Sequence, residues 1–140
     1  MVRINLIDPK LLADQHLIAE YNEILMLLGY ARKFPEPGNA PLQYCLGKGH
    51  IVFFKDKLLY LKERHESISD EMKKRGFRPE KKISLKEFDI GLQNSWKPAK
   101  ADREIIKARL IEKINKKPEF YRYCGKYYRP EFFISMTKKG

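Results

Sequence analysis

Between Ile51 and Met72 the chain sets Ile51, Phe54, Leu58, Leu61, His65, Ile68 and Met72 at alternating intervals of three and four. Only an α-helix turns that spacing into one continuous stripe, because about 3.6 residues per turn bring a side chain back to the same face. The pattern predicts a helix that runs on to "KKRG". There Lys73, Lys74 and Arg75 suit the negative end of the helix dipole, and Gly76 supplies a stop. His65 lies on the apolar stripe and reads as a core residue. His50 begins the helix and either caps it or faces a site.

The remaining segments keep the same period. Asp8-Pro9 predicts a helix start, with Asp as N-cap and Pro in the first turn. Apolar residues recur from there to Leu28, and Gly29 predicts the end. "KFPEPGNAP", Lys33 to Pro41, reads as a surface loop. "SLKE", Ser84 to Glu87, has the capping-box pattern and predicts a short helix. A further helix is predicted from about Ala101 to Lys117, striped by Ile106, Leu110 and Ile114, with Pro118 past its end. No segment alternates with a period of two. The expected fold class is all-α: a compact single-domain bundle of three main helices over residues 1–140, with a C-terminal aromatic and basic tail.

Charge narrows the partners. The net charge of +11 is uneven: residues 1–60 contribute +1, residues 61–99 contribute +3, and residues 100–140 contribute +7. A polyanion meeting the last third fits this asymmetry. On the predicted last helix Arg109, Lys113, Lys116 and Lys117 share one flank, and Arg103 and Lys107 another. "EFYRYCGKYYRPEFF", Glu119 to Phe133, follows directly. Its basic groups beside aromatic rings suit phosphate contact and stacking on exposed bases; the same rings would also serve to pack the tail onto the bundle. The basic segments lack a broad apolar face, so no membrane partner is expected. No stretch reaches the roughly 20 apolar residues that span a bilayer, and no signal-peptide pattern opens the chain. A cytoplasmic protein is expected, with Cys45 and Cys124 reduced.

"LADQHLIAEYNE", Leu12 to Glu23, raises a sharper question. In a helix His16, Glu20 and Glu23 share one face. That face is a metal site, a solvated charge stripe or an active-site wall. Against the first, no second cluster of ligands is visible, and no metal or other cofactor is implied. The third needs a chemical partner, and the chain start supplies one. Initiator methionine is normally removed before a small residue, which would leave Val2 with a free α-amine. An α-amine titrates near 7.7–8.0 and lysine near 10.4, so far more of it is unprotonated at neutral pH. Such an amine attacks a sugar C1′ to give an imine, and a nearby carboxylate assists the proton transfers.

"VRINL" and "LADQHLIAEYNE", then "GHIVFFKDKLLYLKERHE" and "KKRGF", and finally "ARLIEKINKKPEFYRYCGK", resemble the phage-type pyrimidine-dimer DNA glycosylase (endonuclease V) family. The resemblance covers most of the chain and breaks in Gly29–Leu46 and Pro79–Lys100. It implies a compact all-α, metal-independent base-excision DNA repair enzyme. Such an enzyme cleaves the N-glycosidic bond at pyrimidine dimers and then nicks the strand by β-elimination. The nucleophile would be the amine of Val2 and the essential carboxylate Glu23. Arg3, Gln15 and His16 would line the site, with Arg109, Lys113 and Lys117 on DNA. Double-stranded DNA carrying UV photoproducts or abasic sites would be the partner, the protein a monomer near the nucleoid.

Two departures stand out. Asn22 and Met26 occupy positions where the family usually has arginines, which predicts weaker DNA binding and a changed lesion preference. Val2 replaces the commoner threonine. Residues from Tyr128 to Gly140 run past the usual family end. The rival reading is a non-catalytic helical DNA-binding module.

Overall fold

A computed structural model describes residues 3–35, 41–47 and 49–140. Helix α1 (Asp14–Lys33) packs against helix α3 (Leu58–Lys74), and their apolar stripes meet in the main core through Leu17, Ile24, Leu28, Leu58, Leu61 and Ile68. The short helix α2 (Gly49–Phe54) adds Phe53 and Phe54. Helix α4 (Lys100–Lys116) closes this core with Ile106 and Leu110. Its Ile114 belongs to a second, smaller cluster with Ala13, Tyr121 and Phe133. The all-α class therefore holds, and none of the described helices is long and apolar enough to cross a membrane.

The predicted boundaries shift where tertiary contacts outweigh local signals. The stripe from Ile51 to Met72 is carried by two helices, because Lys55–Lys57 leave the helix. The Lys57 Nζ donates to the Phe53 carbonyl at 2.8 Å, and Asn94 donates to the Asp56 carbonyl, also at 2.8 Å. Those contacts satisfy the carbonyls that a continuous helix would have used. The stop is as expected. Gly76 takes φ +90°, and the Phe77 N–H reaches the Met72 carbonyl at 2.9 Å, which completes a Schellman cap.

Asp8-Pro9 opens only a single 3-10 turn, Pro9–Leu11, and α1 begins at Asp14 after extended backbone at Leu12 and Ala13. Gly29 does not end α1. Glycine costs about 1 kcal/mol in a helix interior, which fully buried Ala31 and the neighbouring Leu27 and Leu28 offset. Ser84 starts no helix; Asp89 instead caps a 3-10 turn at Ile90–Leu92. Of the proline-rich loop, residues 36–40 lie outside the described residues.

The tail is more ordered than its composition suggests. Arg122–Tyr123 (β1) and Lys126–Tyr127 (β2) form a hairpin, too short for alternation to register in sequence. Both turn residues are left-handed, Cys124 at φ 51° and Gly125 at φ 76°, as a type I′ turn requires. Helix α5 (Pro130–Lys139) then packs along α4, burying Phe133 and Thr137.

Candidate active site

The N-terminal segment is unusual. Residues 3–7 belong to no helix or sheet, yet all five are buried. A buried backbone without a ladder must find side-chain partners. The Ile4 N–H donates to the His50 Nε2 at 3.1 Å, and the Tyr44 hydroxyl donates to the Ile4 carbonyl at 3.0 Å. The Asn5 N–H donates to the Glu20 Oε1 at 3.1 Å, and Arg64 donates to the Ile7 carbonyl at 2.6 Å. The Ile7 N–H returns to the Asn5 carbonyl at 2.7 Å, closing a γ-turn with Leu6 at φ 63°.

This assignment separates the two glutamates of α1. Glu20 has no exposed surface and takes Arg64 on both oxygens, at 2.6 and 3.0 Å, besides the Asn5 amide. A carboxylate so engaged is a structural anchor. Glu23 is also buried, but none of the described residues donates a hydrogen bond to it. Burial raises its pKa, while the positive charges of Arg3 and Arg109 act in the opposite direction. A carboxyl group whose pKa is raised by burial, held near cations, is suited to take up and give back a proton.

The same helix face leads into a cleft of about 290 Å³ lined by Arg3, Asn5, Gln15, His16, Ala19, Arg109, Lys113, Phe120 and Tyr121. His16, Ala19 and Glu23 follow at spacings of three and four, so Glu23 stands one turn beyond the cleft wall. The ring of His16 lies 4.6 Å from that of Tyr121. Burial, then Arg109 and Lys113, lower its pKa to about 4, which keeps it neutral at physiological pH. Arg3 donates to the Leu46 carbonyl at 2.7 Å.

Gln15 is engaged in both directions. Its amide donates to the Phe120 carbonyl at 3.0 Å and accepts from the Arg122 N–H at 3.0 Å. It fastens the aromatic segment over the cleft. Lys117 does not line the cleft but lies over the ring of Phe120, which does. Asn22 is exposed in a different groove, with Ile18, Tyr21, Leu25 and Lys81, and Met26 is exposed too. Val2 lies outside the described residues. Among the described residues no group of three or more His, Cys, Asp or Glu side chains could hold a metal ion.

Sequence reasoning missed Tyr44 and Arg64 as partners of the N-terminal backbone, and for His50 offered a helix cap or a residue facing a site, not a hydrogen bond to Ile4. It also missed the lock on the hairpin. The Asp14 carboxylate accepts from Arg75 at 3.0 Å and from the Cys124 and Gly125 N–H groups at 3.0 and 2.7 Å. Of these, Arg64 alone left a hint, a charged residue in the middle of α3 beside its apolar stripe, where a buried charge has to be paired.

The geometry defines an all-α protein with a cationic cleft and, one helical turn beyond its wall, a buried carboxyl group in the field of Arg3 and Arg109. The particular family follows from sequence. A model of the pyrimidine dimer DNA glycosylase family matches residues 1–85, well over half of the chain, and the chain belongs to that family. Membership places it among DNA-repair glycosylases and makes UV-damaged DNA its substrate class.

Proposed function

We propose that residues 1–140 act as one monomeric domain, a glycosylase with lyase activity that works through an imine on the α-amine of Val2 after Met1 is removed. The observation that carries this reading is Glu23. Its carboxyl group is buried with a raised pKa, within the field of Arg3, and Arg3 is one peptide bond from Val2. The amine attacks C1′, the N-glycosidic bond breaks, and the base departs with the bonding electrons and takes up a proton. Opening of the sugar gives the iminium. Loss of a C2′ proton then expels the 3′-phosphate, and water releases the enzyme from the remaining imine.

Glu23 would move protons between these steps and balance the positive charge on the sugar. Arg109 and Lys113 would hold the phosphates, assisted by Lys117, while His16, neutral beside Tyr121, would contact the sugar or the flanking backbone. Gln15 acts by holding Phe120 and Arg122 in place, and Asn22 would meet DNA from the neighbouring groove.

Borohydride trapping tests the reading. Protein of verified mass, beginning at Val2, should form a covalent adduct with duplexes bearing an abasic site or a pyrimidine dimer. An adduct on abasic DNA alone would leave a lyase with another lesion preference, which exposed Asn22 and Met26 favour as the second reading. No adduct on either would leave a DNA-binding module.

A further inference from the structure

The reaction proposed above needs an amine held in attack geometry, and the amine is two residues upstream of Ile4. Among the described residues, the contacts that bear on its approach act on Arg3 and Ile4. We propose that His50 is a positioning residue for this reaction, holding the Ile4 N–H in one place and thereby the terminal amine; the inference rests on the imine mechanism.

The tautomer is dictated by geometry. His50 Nδ1 lies 2.7 Å from the Cys45 carbonyl oxygen, which only accepts, so Nδ1 carries the proton. Nε2 is then bare, the state in which it accepts from the Ile4 N–H at 3.1 Å. The ring itself is held by edge contacts with Tyr44 and Phe54, at 5.5 and 5.2 Å between centroids, and has about 1% of its surface exposed. Burial, reinforced by the charges of Arg3 and Arg109 and opposed by the Cys45 hydrogen bond, lowers its pKa to about 4. The neutral form that accepts from Ile4 is therefore the one present at working pH. A second proton would set donor against donor and release the segment.

Two residues of extended chain reach about 7 Å, so loss of the Ile4 anchor would let the amine sweep a volume much larger than an attack trajectory allows. A misplacement of about 1 Å costs on the order of a hundredfold in rate. His50 touches neither sugar nor phosphate in this scheme. Its effect should appear in the covalent step and not in binding.

The test compares single-turnover trapping on an abasic duplex, at saturating protein, with affinity for a duplex bearing a tetrahydrofuran analogue that forms no imine. His50→Phe keeps ring and burial but removes the acceptor. It should trap ten- to a hundredfold more slowly and bind the analogue within twofold of wild type. His50→Gln, whose carbonyl oxygen falls near the Nε2 position, should recover most of the rate. A semisynthetic chain with an ester in place of the Arg3–Ile4 amide removes the donor and leaves His50 intact. It should slow trapping similarly, and it decides the matter should His50→Phe not fold. Wild-type rates in both altered chains, or equal losses of trapping and binding, overturn the positioning role. Failure of the wild-type chain to trap overturns the imine mechanism instead.

Discussion

Helix α1 presents carboxylates to two regions that use the same residue types in opposite ways. Beneath the N-terminal segment, Glu20 and Arg64 are sealed, mutually neutralised and bonded to backbone. Around the cleft, Arg3, Arg109 and Lys113 gather near one carboxyl group, Glu23, and one histidine kept neutral. A sealed pair holds geometry but offers nothing to a ligand. An unbalanced cluster of cations costs stability through mutual repulsion, as the lowered pKa of Arg109, caused by burial and by Arg3, makes visible. That imbalance is what an incoming polyanion relieves. The lesson is that the sealed half and the half proposed to be reactive are adjacent, with the N-terminal segment as the boundary between them.

The largest effect should fall on the reactive side. Glu23→Gln preserves shape but not proton transfer, and should slow strand scission on an abasic duplex about 10²- to 10⁴-fold. Affinity for that duplex, and the denaturation midpoint, should stay close to wild type. Unchanged scission would move the acid–base role to another group. On the sealed side the result should invert. Arg64→Leu leaves Glu20 buried without its counter-ion, which costs about 3–5 kcal/mol in chemical denaturation. A loss below about 1 kcal/mol would mean that water reaches Glu20 and that the two regions are not distinct.

Much of this contrast was legible before the structure, though unevenly. The periodic stripes gave the class of fold and the partners of the core, because burial of a helix face is a local pattern. Glu23 and Glu20 could not be told apart by that logic, since both lie on one face at helical spacing. What distinguishes them is Arg64, 44 residues away from Glu20 in sequence. His50 was legible as a helix cap or a residue facing a site, but not as an acceptor, because that role is defined by Ile4, 46 residues upstream. Long-range hydrogen bonds leave no period. The break at Lys55–Lys57 was hidden for the same reason: Asn94 satisfies a carbonyl there from a distant loop.

Acid offers a subtler way to separate the regions. His16 and His50 both have folded-state pKa values of about 4, below the ordinary 6.5. Above 6.5 neither state of the chain protonates them, so their contribution to stability is complete. As pH falls from 6.5 toward 4 the unfolded chain binds protons that the folded chain refuses, and stability declines. The slope is at most about 1.4 kcal/mol per pH unit for each group, and smaller for His16, which is only partly buried. Glu23 works in the other direction: its raised pKa adds stability at low pH that is lost as pH rises through the folded value. Denaturation midpoints from pH 7 to 4 should therefore fall less steeply in His50→Gln and more steeply in Glu23→Gln. Parallel curves for all three chains would show that neither group is held in its altered state.

The smallest expected effect concerns the outer edge of the reactive region, where Asn22 and Met26 stand one helical turn apart and both face solvent. Each cation that meets a phosphate steepens the dependence of log affinity on log salt by about 0.9. Arg109→Ala and Lys113→Ala should each flatten the slope for undamaged duplex by about that amount, since both line the cleft. Asn22→Arg should steepen it by a similar amount without altering the denaturation midpoint by more than about 0.5 kcal/mol, because an exposed side chain gains no buried contact. The direction matters more than the size. If Asn22→Arg tightens binding yet leaves the salt slope unchanged, the new arginine is contacting bases or protein and not phosphate. If it does neither, the DNA track runs along the cleft and α4 alone, and the groove beside Tyr21 lies outside the footprint.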